Sequence, residues 1–149
     1  MSGRAQRAAT APAVKKKRRA PVVREGVFQR RMEIALNAPT RHTRVQRINS
    51  GQVHVQDASG SVRVIRGAHA GTGDLPGYTI PDGLHLEVET KAHGEKLSPA
   101  QVRRQAEAQR AGWIYVVVYG PRTLAELDEA VQRGVAQVDE AIARRRARA

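Results

Sequence analysis

The run of residues 84–119 constrains the fold of this chain more than any other part of its sequence. It opens with "LHLEVETK", and because alternate side chains of an extended segment point to opposite faces, the segment predicts a strand with one apolar and one charged face. It closes with "WIYVVVY". A continuous run of strand-forming apolar residues is typical of a strand buried on both faces in a parallel sheet.

A helix is predicted between these two strands. Ser98 suits the N-cap, Pro99 suits the first helical position, and Gln101 completes a capping box with Ser98. Gly112 can close the helix. Because a helical crossover returns the chain to the same edge of a sheet, the two strands are predicted to be parallel neighbours.

The segments on either side complete an α/β architecture. A helix is predicted from Glu25 to about Asn37, where apolar residues recur at spacings of three and four. The alternating stretches "RVQRI", "QVHVQ" and "SVRVI" predict a small antiparallel meander, which a Gly-rich loop over residues 67–77 follows. A last helix is predicted from about Leu124 into the arginine tail. We therefore expect a mixed β-sheet flanked by helices, in the order helix, three strands, helix, strand, helix.

Positive charge is concentrated at the two ends of the chain. The net charge is +12, yet residues 1–23 hold seven basic residues and no acidic one, and residues 144–149 hold four arginines and no acidic residue. We expect a domain over residues 22–143, with flexible basic arms at 1–21 and 144–149. Such arms neutralise phosphates, which favours a nucleic-acid partner. A nuclear-localisation signal, an anionic membrane or RNA would give a similar pattern. The residues predicted to contact DNA in the first arm are Lys15, Lys16, Lys17, Arg18 and Arg19.

Several classes of site and location are excluded or disfavoured. The chain has no cysteine, so thiol catalysis and cysteine-based zinc sites are excluded, and any metal must use oxygen or histidine ligands. No apolar run approaches the roughly 20 residues that a membrane span needs, and no apolar segment follows the basic N-terminus as in a secretory leader. We expect a protein of the cytoplasm with no membrane partner.

Asp74, Glu89 and Lys91 form the candidate chemical group. Asp74 lies in "GTGDLPG", and Glu89 and Lys91 share the charged face of the following strand, about 6 to 7 Å apart. Two carboxylates can hold Mg²⁺ and a lysine can stabilise charge on a phosphate. The residues alone also fit an exposed ion pair and a turn aspartate. Glu87 lies on the same face, either as a further acidic group or, as we favour, as the partner of an arginine.

The sequence resembles the PD-(D/E)xK nuclease superfamily, and within it the small stand-alone VRR-NUC proteins of bacteria and phages. The resemblance covers about residues 24–135 and is carried by "REGVFQRRMEIALNA", "RINSG", "GTGD", "VETKAHGEKLSPAQ" and "AGWIYVVV". The proline that precedes the family's aspartate is Gly73 here. The resemblance implies that Asp74, Glu89 and the carbonyl of Thr90 bind the metal and that Lys91 is catalytic.

The same resemblance assigns further roles. Glu25 would approach the metal, directly or through water, and Gln101 would match the glutamine of the helix after the catalytic strand. Arg47 and Asn49 would face DNA, although an Asn-Ser-Gly turn also explains Asn49.

The function that the resemblance implies is metal-dependent cleavage of DNA. We expect an endonuclease that uses Mg²⁺ or Mn²⁺ to hydrolyse phosphodiester bonds, with Holliday-junction or other branched DNA as substrate. The family tends to form homodimers, and it implies a bacterial or phage-infected host cell. The alternative is a basic DNA- or RNA-binding protein without catalytic activity on a nuclease-like fold.

Overall fold

A computed structural model describes residues 23–48, 52–56, 62–66 and 69–149. Three α-helices, a single 3₁₀ turn at Leu124–Glu126 and six strands follow one another along these residues. The helices are α1 (Glu25–Leu36), α2 (Pro99–Ala111) and α3 (Leu127–Arg146). The strands are β1 (Thr43–Val45), β2 (Gln52–Gln56), β3 (Val62–Arg66), β4 (Leu75–Thr79), β5 (His85–Lys91) and β6 (Ile114–Tyr119).

Four of the strands form one mixed sheet in the order β1, β4, β5, β6. β4 pairs antiparallel with β1 and with β5, whereas β5 and β6 are parallel, with Glu89 opposite Val117. The predicted fold class, a mixed sheet flanked by helices, is confirmed. The predicted parallel pairing of the two strands that flank α2 is also confirmed.

The predicted meander is wrong in one respect, since β2 and β3 pair with each other as a separate hairpin and β1 pairs with β4. β4 begins inside the predicted Gly-rich loop, at Leu75, and five strands precede α2 where the predicted order had three. Because Pro76 and Gly77 are residues disfavoured in strands, the sequence pattern did not predict β4 as a strand. Gly77 is required there, because a Cβ at this residue would lie 1.9 Å from the carbonyl oxygen of Arg44 on β1.

The predicted caps of α2 are confirmed. The Ser98 hydroxyl accepts a hydrogen bond from the Gln101 backbone N–H at 3.3 Å, and the Gln101 side-chain oxygen accepts one from the Ser98 N–H at 2.8 Å. Gly112 ends the helix with a φ of 79°, a left-handed conformation that favours glycine. The start of α2 is therefore fixed relative to the end of β5.

The hydrophobic core lies between one face of the sheet and the pair α1 and α3. It contains Phe28, Met32 and Leu36 from α1, Leu86 and Val88 from β5, Val116 and Val118 from β6, and Leu127, Val131, Val138 and Ile142 from α3. α3 approaches α1 closely because residue 134 is glycine, where a Cβ would lie 2.8 Å from the Met32 sulfur.

The other face of the sheet is covered only in part, by α2. The prediction that β6 is buried on both faces is wrong, because only one face, with Ile114, Val116 and Val118, is buried. On the other face residues 115 and 117 are half-buried and residue 119 is 45% exposed. This half-open face carries Glu87, Glu89 and Lys91.

The first half of the second basic arm, residues 144–146, is part of α3. α3 continues to Arg146, where Arg145 donates a hydrogen bond to the Gly112 carbonyl and Arg146 pairs with Asp82. The prediction that the last helix runs into the arginine tail is confirmed. The prediction of a disordered arm from residue 144 is wrong through residue 146, since these arginines have partners and basic groups stabilise a helix C-terminus. The first arm, residues 1–21, lies outside the described residues. Within the described part of the chain, no helix has the length and apolar character that crossing a membrane requires.

Candidate active site

Asp74, Glu89 and Lys91 meet at one end of the sheet, as the sequence predicted. Asp74 directly precedes β4, and the antiparallel register that places Leu75 opposite Val88 brings Asp74 beside Glu89. One oxygen of the Asp74 carboxylate, Oδ2, accepts hydrogen bonds from the Thr90 backbone N–H at 2.9 Å and from the Thr90 hydroxyl at 2.7 Å. These two bonds fix the orientation of the Asp74 carboxylate.

Glu89 is almost completely buried, with 2% of its surface exposed. Its Oε1 accepts a hydrogen bond from the side-chain amide of Gln101 and lies 3.3 Å from the Lys91 ammonium nitrogen. Its Oε2 is buried and has no hydrogen-bond partner among the described residues. A buried carboxylate oxygen without a partner is costly, so this atom is suited to a cation that the protein binds.

The electrostatics of Glu89 agree with this geometry. Burial, followed by the negative charge of Asp74, raises the pKa of Glu89 from 4.5 to about 7, although Lys91 acts in the opposite direction. Two neighbouring carboxylates that repel each other are stabilised when a positive ion lies between them.

The backbone of Thr90 offers a further oxygen on the same side. In a strand the N–H and C=O of one residue point to the same side, and the Thr90 N–H points toward Asp74. The Thr90 carbonyl therefore also points toward the end of β4. No group of three or more His, Asp and Glu side chains in the described ranges has metal-site geometry. Two carboxylates and one carbonyl, completed by water, still fit Mg²⁺, which retains several waters in proteins.

Glu25 is the first residue of α1, and it lies close enough to this end of the sheet for Asp74 and Lys91 to affect its carboxyl. Partial burial raises the pKa of its carboxyl, and the negative charges of Asp74 and Glu95 raise it further. Glu95, in the loop after β5, was not predicted as a site residue. The guanidinium of Arg47 is also nearby, about 4.0 Å from the position that a Cβ on Gly26 would occupy.

The structure explains Glu87, which is 1% exposed and is not free to bind a metal. Its Oε1 accepts a hydrogen bond from Arg104 at 2.6 Å and lies 3.0 Å from the Nε2 of His85. Its Oε2 accepts from the Gly73 backbone N–H at 3.0 Å and from Arg104 at 3.3 Å. The expected arginine partner of Glu87 is therefore confirmed, and no proline at position 73 could donate this hydrogen.

The loop that carries Asp74 is packed tightly on its surroundings. A Cβ on Gly71, whose φ is 85°, would lie 2.4 Å from the Ala100 carbonyl oxygen, and the Tyr115 hydroxyl donates to the Gly71 carbonyl at 3.2 Å. Burial raises the pKa of Tyr115, and the Glu89, Glu87 and Asp74 carboxylates raise it further, so the phenol stays protonated. Tyr115 and Arg104 were not predicted, because only the fold brings them to this loop.

Six predicted site residues have no described position. Lys15, Lys16, Lys17, Arg18, Arg19 and Asn49 fall outside the described residues. The histidines near the motifs do not join the site: His69 is exposed, and His93 accepts a hydrogen bond from Arg122 at 2.7 Å.

The comparisons with known proteins give one structural similarity. The chain is similar to a solved structure described as "VRR_NUC domain", with a TM-score of 0.42 and 20% sequence identity over 72% of this chain and 94% of that one. No family model matches the sequence, and no curated protein matches it.

Proposed function

We propose that this protein is a metal-dependent nuclease that hydrolyses phosphodiester bonds in DNA. The observation that carries the proposal is the buried Glu89 carboxylate, whose Oε2 has no partner in the described residues while Asp74 and Lys91 lie beside it. Asp74, Glu89 and the Thr90 carbonyl would hold a single Mg²⁺ or Mn²⁺, with Glu25 reaching it directly or through water. Such an ion supplies Lewis-acid stabilisation of the phosphate and lowers the pKa of bound water.

The residues around this site have separate roles in the proposal. The Lys91 ammonium, only 12% exposed, faces the same space as Glu89 and stabilises negative charge that develops on the phosphate. Gln101 positions Glu89 through its amide, and Thr90 positions Asp74 through two hydrogen bonds. Because these hydrogen bonds and the burial of Glu89 already hold both carboxylates, they need little reorganisation when substrate binds.

DNA is the substrate that the charge and the half-open site favour. The chain carries a net charge of +12, which favours contact with phosphates. It has only five Phe, Trp and Tyr residues, so few side chains are available to stack on unpaired bases. We propose recognition of backbone and shape, with branched DNA such as a four-way junction as the preferred substrate. A homodimer would present two sites to two strands.

Cleavage of a labelled four-way junction in the presence of Mg²⁺ tests the activity. Wild-type protein should cut the junction, and Lys91→Ala and Asp74→Ala should each lower the single-turnover rate by about 100-fold or more while DNA binding remains. If both variants cut as fast as wild type, the active-site assignment is wrong. Binding without any cutting by wild type would instead indicate a non-catalytic DNA-binding protein.

A panel of substrates tests the proposed preference. Four-way, flap, splayed and linear duplex DNA of matched length should be cut at different rates, with the four-way junction fastest. Equal rates on all four would indicate a general nuclease. Light scattering of the purified protein measures whether the active species is a dimer.

A further inference from the structure

Glu87 is the most heavily bonded carboxylate in the described part of the chain, and the catalytic proposal gives it no role. It shares the charged face of β5 with Glu89, two residues away, yet none of its hydrogen bonds is made with the proposed metal ligands. Its two oxygens receive two bonds from Arg104, one from the Gly73 N–H, and a contact with the ring of His85. A carboxylate with this number of partners has no oxygen left for a cation.

Arg104 is itself fixed by its neighbours, so the pair forms a rigid unit. Its guanidinium carbon lies 4.6 Å from the centre of the Trp113 ring, and its Nη1 donates to Glu107 at 3.0 Å. The bidentate geometry of an arginine on a carboxylate adds directional restraint to the attraction of the charges. Glu87 is therefore held at a defined position between β5 and α2.

The Gly73 peptide is the part of the active-site loop that this unit holds. Gly73 is buried, and a Cβ there would lie 3.1 Å from the Glu87 Cβ and 3.2 Å from the Val88 carbonyl carbon. The loop backbone thus lies flat on β5 and donates its N–H to the Glu87 carboxylate at 3.0 Å. The next residue along the chain is Asp74.

We propose that Glu87 and Arg104 position Asp74 for metal binding, by anchoring the Gly73 peptide that immediately precedes it. Thr90 orients the Asp74 side chain, whereas Glu87 fixes the backbone from which that side chain extends. Removing a residue that orients a metal ligand without touching the metal commonly lowers metal affinity by about 10- to 100-fold. The inference rests on the proposed function, because it assumes that Asp74 binds a metal.

The test is the affinity of the full chain for Mn²⁺ without DNA, measured by titration calorimetry. In Glu87→Met/Arg104→Met, apolar side chains replace a buried ion pair, which commonly retains or increases stability, but the Gly73 N–H loses its acceptor. We expect this variant to unfold at a urea concentration close to that of wild type and to bind Mn²⁺ about 10- to 100-fold more weakly. If the pair only stabilised the fold, a double variant as stable as wild type would also bind Mn²⁺ as tightly as wild type.

Two further variants make the result decisive. Glu129→Gln removes an exposed carboxylate on α3 that pairs with Arg133 and contacts neither Arg104 nor Gly73, and it should bind Mn²⁺ as wild type does. Arg104→Lys keeps the charge but loses the two-point contact, and we expect about a threefold to tenfold loss of affinity. If the double variant does not fold, Arg104→Lys decides the question.

The outcomes separate this inference from the proposed function. If wild type binds Mn²⁺, Asp74→Asn abolishes binding, and the double variant or Arg104→Lys binds as tightly as wild type, then only the positioning role is overturned. If wild type binds no Mn²⁺, the metal site itself is wrong.

Discussion

Replacing Glu89 with glutamine should stabilise the metal-free protein at neutral and alkaline pH. The substitution keeps the size of the side chain and an oxygen that Gln101 can contact, but it removes the negative charge. In the wild type that charge is buried beside Asp74, which together with burial raises the pKa of Glu89 to about 7. An ionised Glu89 is therefore unfavourable in the folded protein unless a cation compensates it.

The magnitude follows from the linkage between protonation and folding. A carboxyl group whose pKa is higher in the folded than in the unfolded chain loses stability as pH rises from the unfolded pKa through the folded one. Each pH unit between the two pKa values corresponds to about 1.36 kcal/mol, so the rise from 4.5 to about 7 amounts to on the order of 3 kcal/mol. Wild type should lose this amount relative to Glu89→Gln between about pH 4.5 and pH 8.

Urea unfolding at a series of pH values, in buffer with a chelator, measures the difference. Comparing the two proteins cancels the groups that titrate in both, and Glu129→Gln, an exposed carboxylate on α3, should follow wild type at every pH. Added Mn²⁺ should stabilise wild type in proportion to the logarithm of its concentration and leave Glu89→Gln almost unchanged. If the stabilities of wild type and Glu89→Gln change in parallel from pH 4.5 to 8, the carboxylate pair is not strained and the reasoning fails.

Three further predictions concern local structure and the first arm. Gly77→Ala should lower the free energy of unfolding by at least about 3 kcal/mol, because its Cβ would overlap the Arg44 carbonyl oxygen. Gly26→Ala, at an exposed position in the first turn of α1, should instead raise it by about 0.5 to 1 kcal/mol. Urea midpoints that shift alike in the two variants would contradict this pair of predictions. Ser98→Ala should cost about 1 kcal/mol through loss of the α2 cap, measured in the same way, and no change would mean that the capping box contributes nothing. Deleting residues 1–21 should flatten the salt dependence of DNA affinity, whose logarithmic slope is about −0.9 per phosphate neutralised, and an unchanged slope would show that the arm does not contact DNA.

The parts of the fold that the sequence predicts are those specified by local chemistry. Ser98 and Gln101 are three residues apart, and their capping box forms because both partners lie within one turn. The alternation along β5 likewise predicts which residues share a face, and Glu89 and Lys91 do share one. The convergence of Asp74 with them was predicted from the resemblance as well as from the strand pattern.

The parts that the sequence does not predict depend on contacts between distant segments. β4 contains Pro76 and Gly77, and only its two neighbouring strands identify it as a strand. The contact of Glu87 with Arg104 joins residues 17 positions apart, so no local pattern distinguishes it from a catalytic acid. In the sequence Arg146 belongs to a basic run typical of a disordered tail, and its ion pair with the distant Asp82 is visible only in the fold.

The most direct test of the account is whether one divalent cation binds between Asp74 and Glu89. Electron paramagnetic resonance of Mn²⁺ titrated into the metal-free protein counts bound ions without requiring a substrate. We predict that one Mn²⁺ binds per chain in wild type, and that Asp74→Asn and Glu89→Gln each weaken binding by about 100-fold or more. Equal Mn²⁺ binding by all three proteins, or none by wild type, would contradict the account.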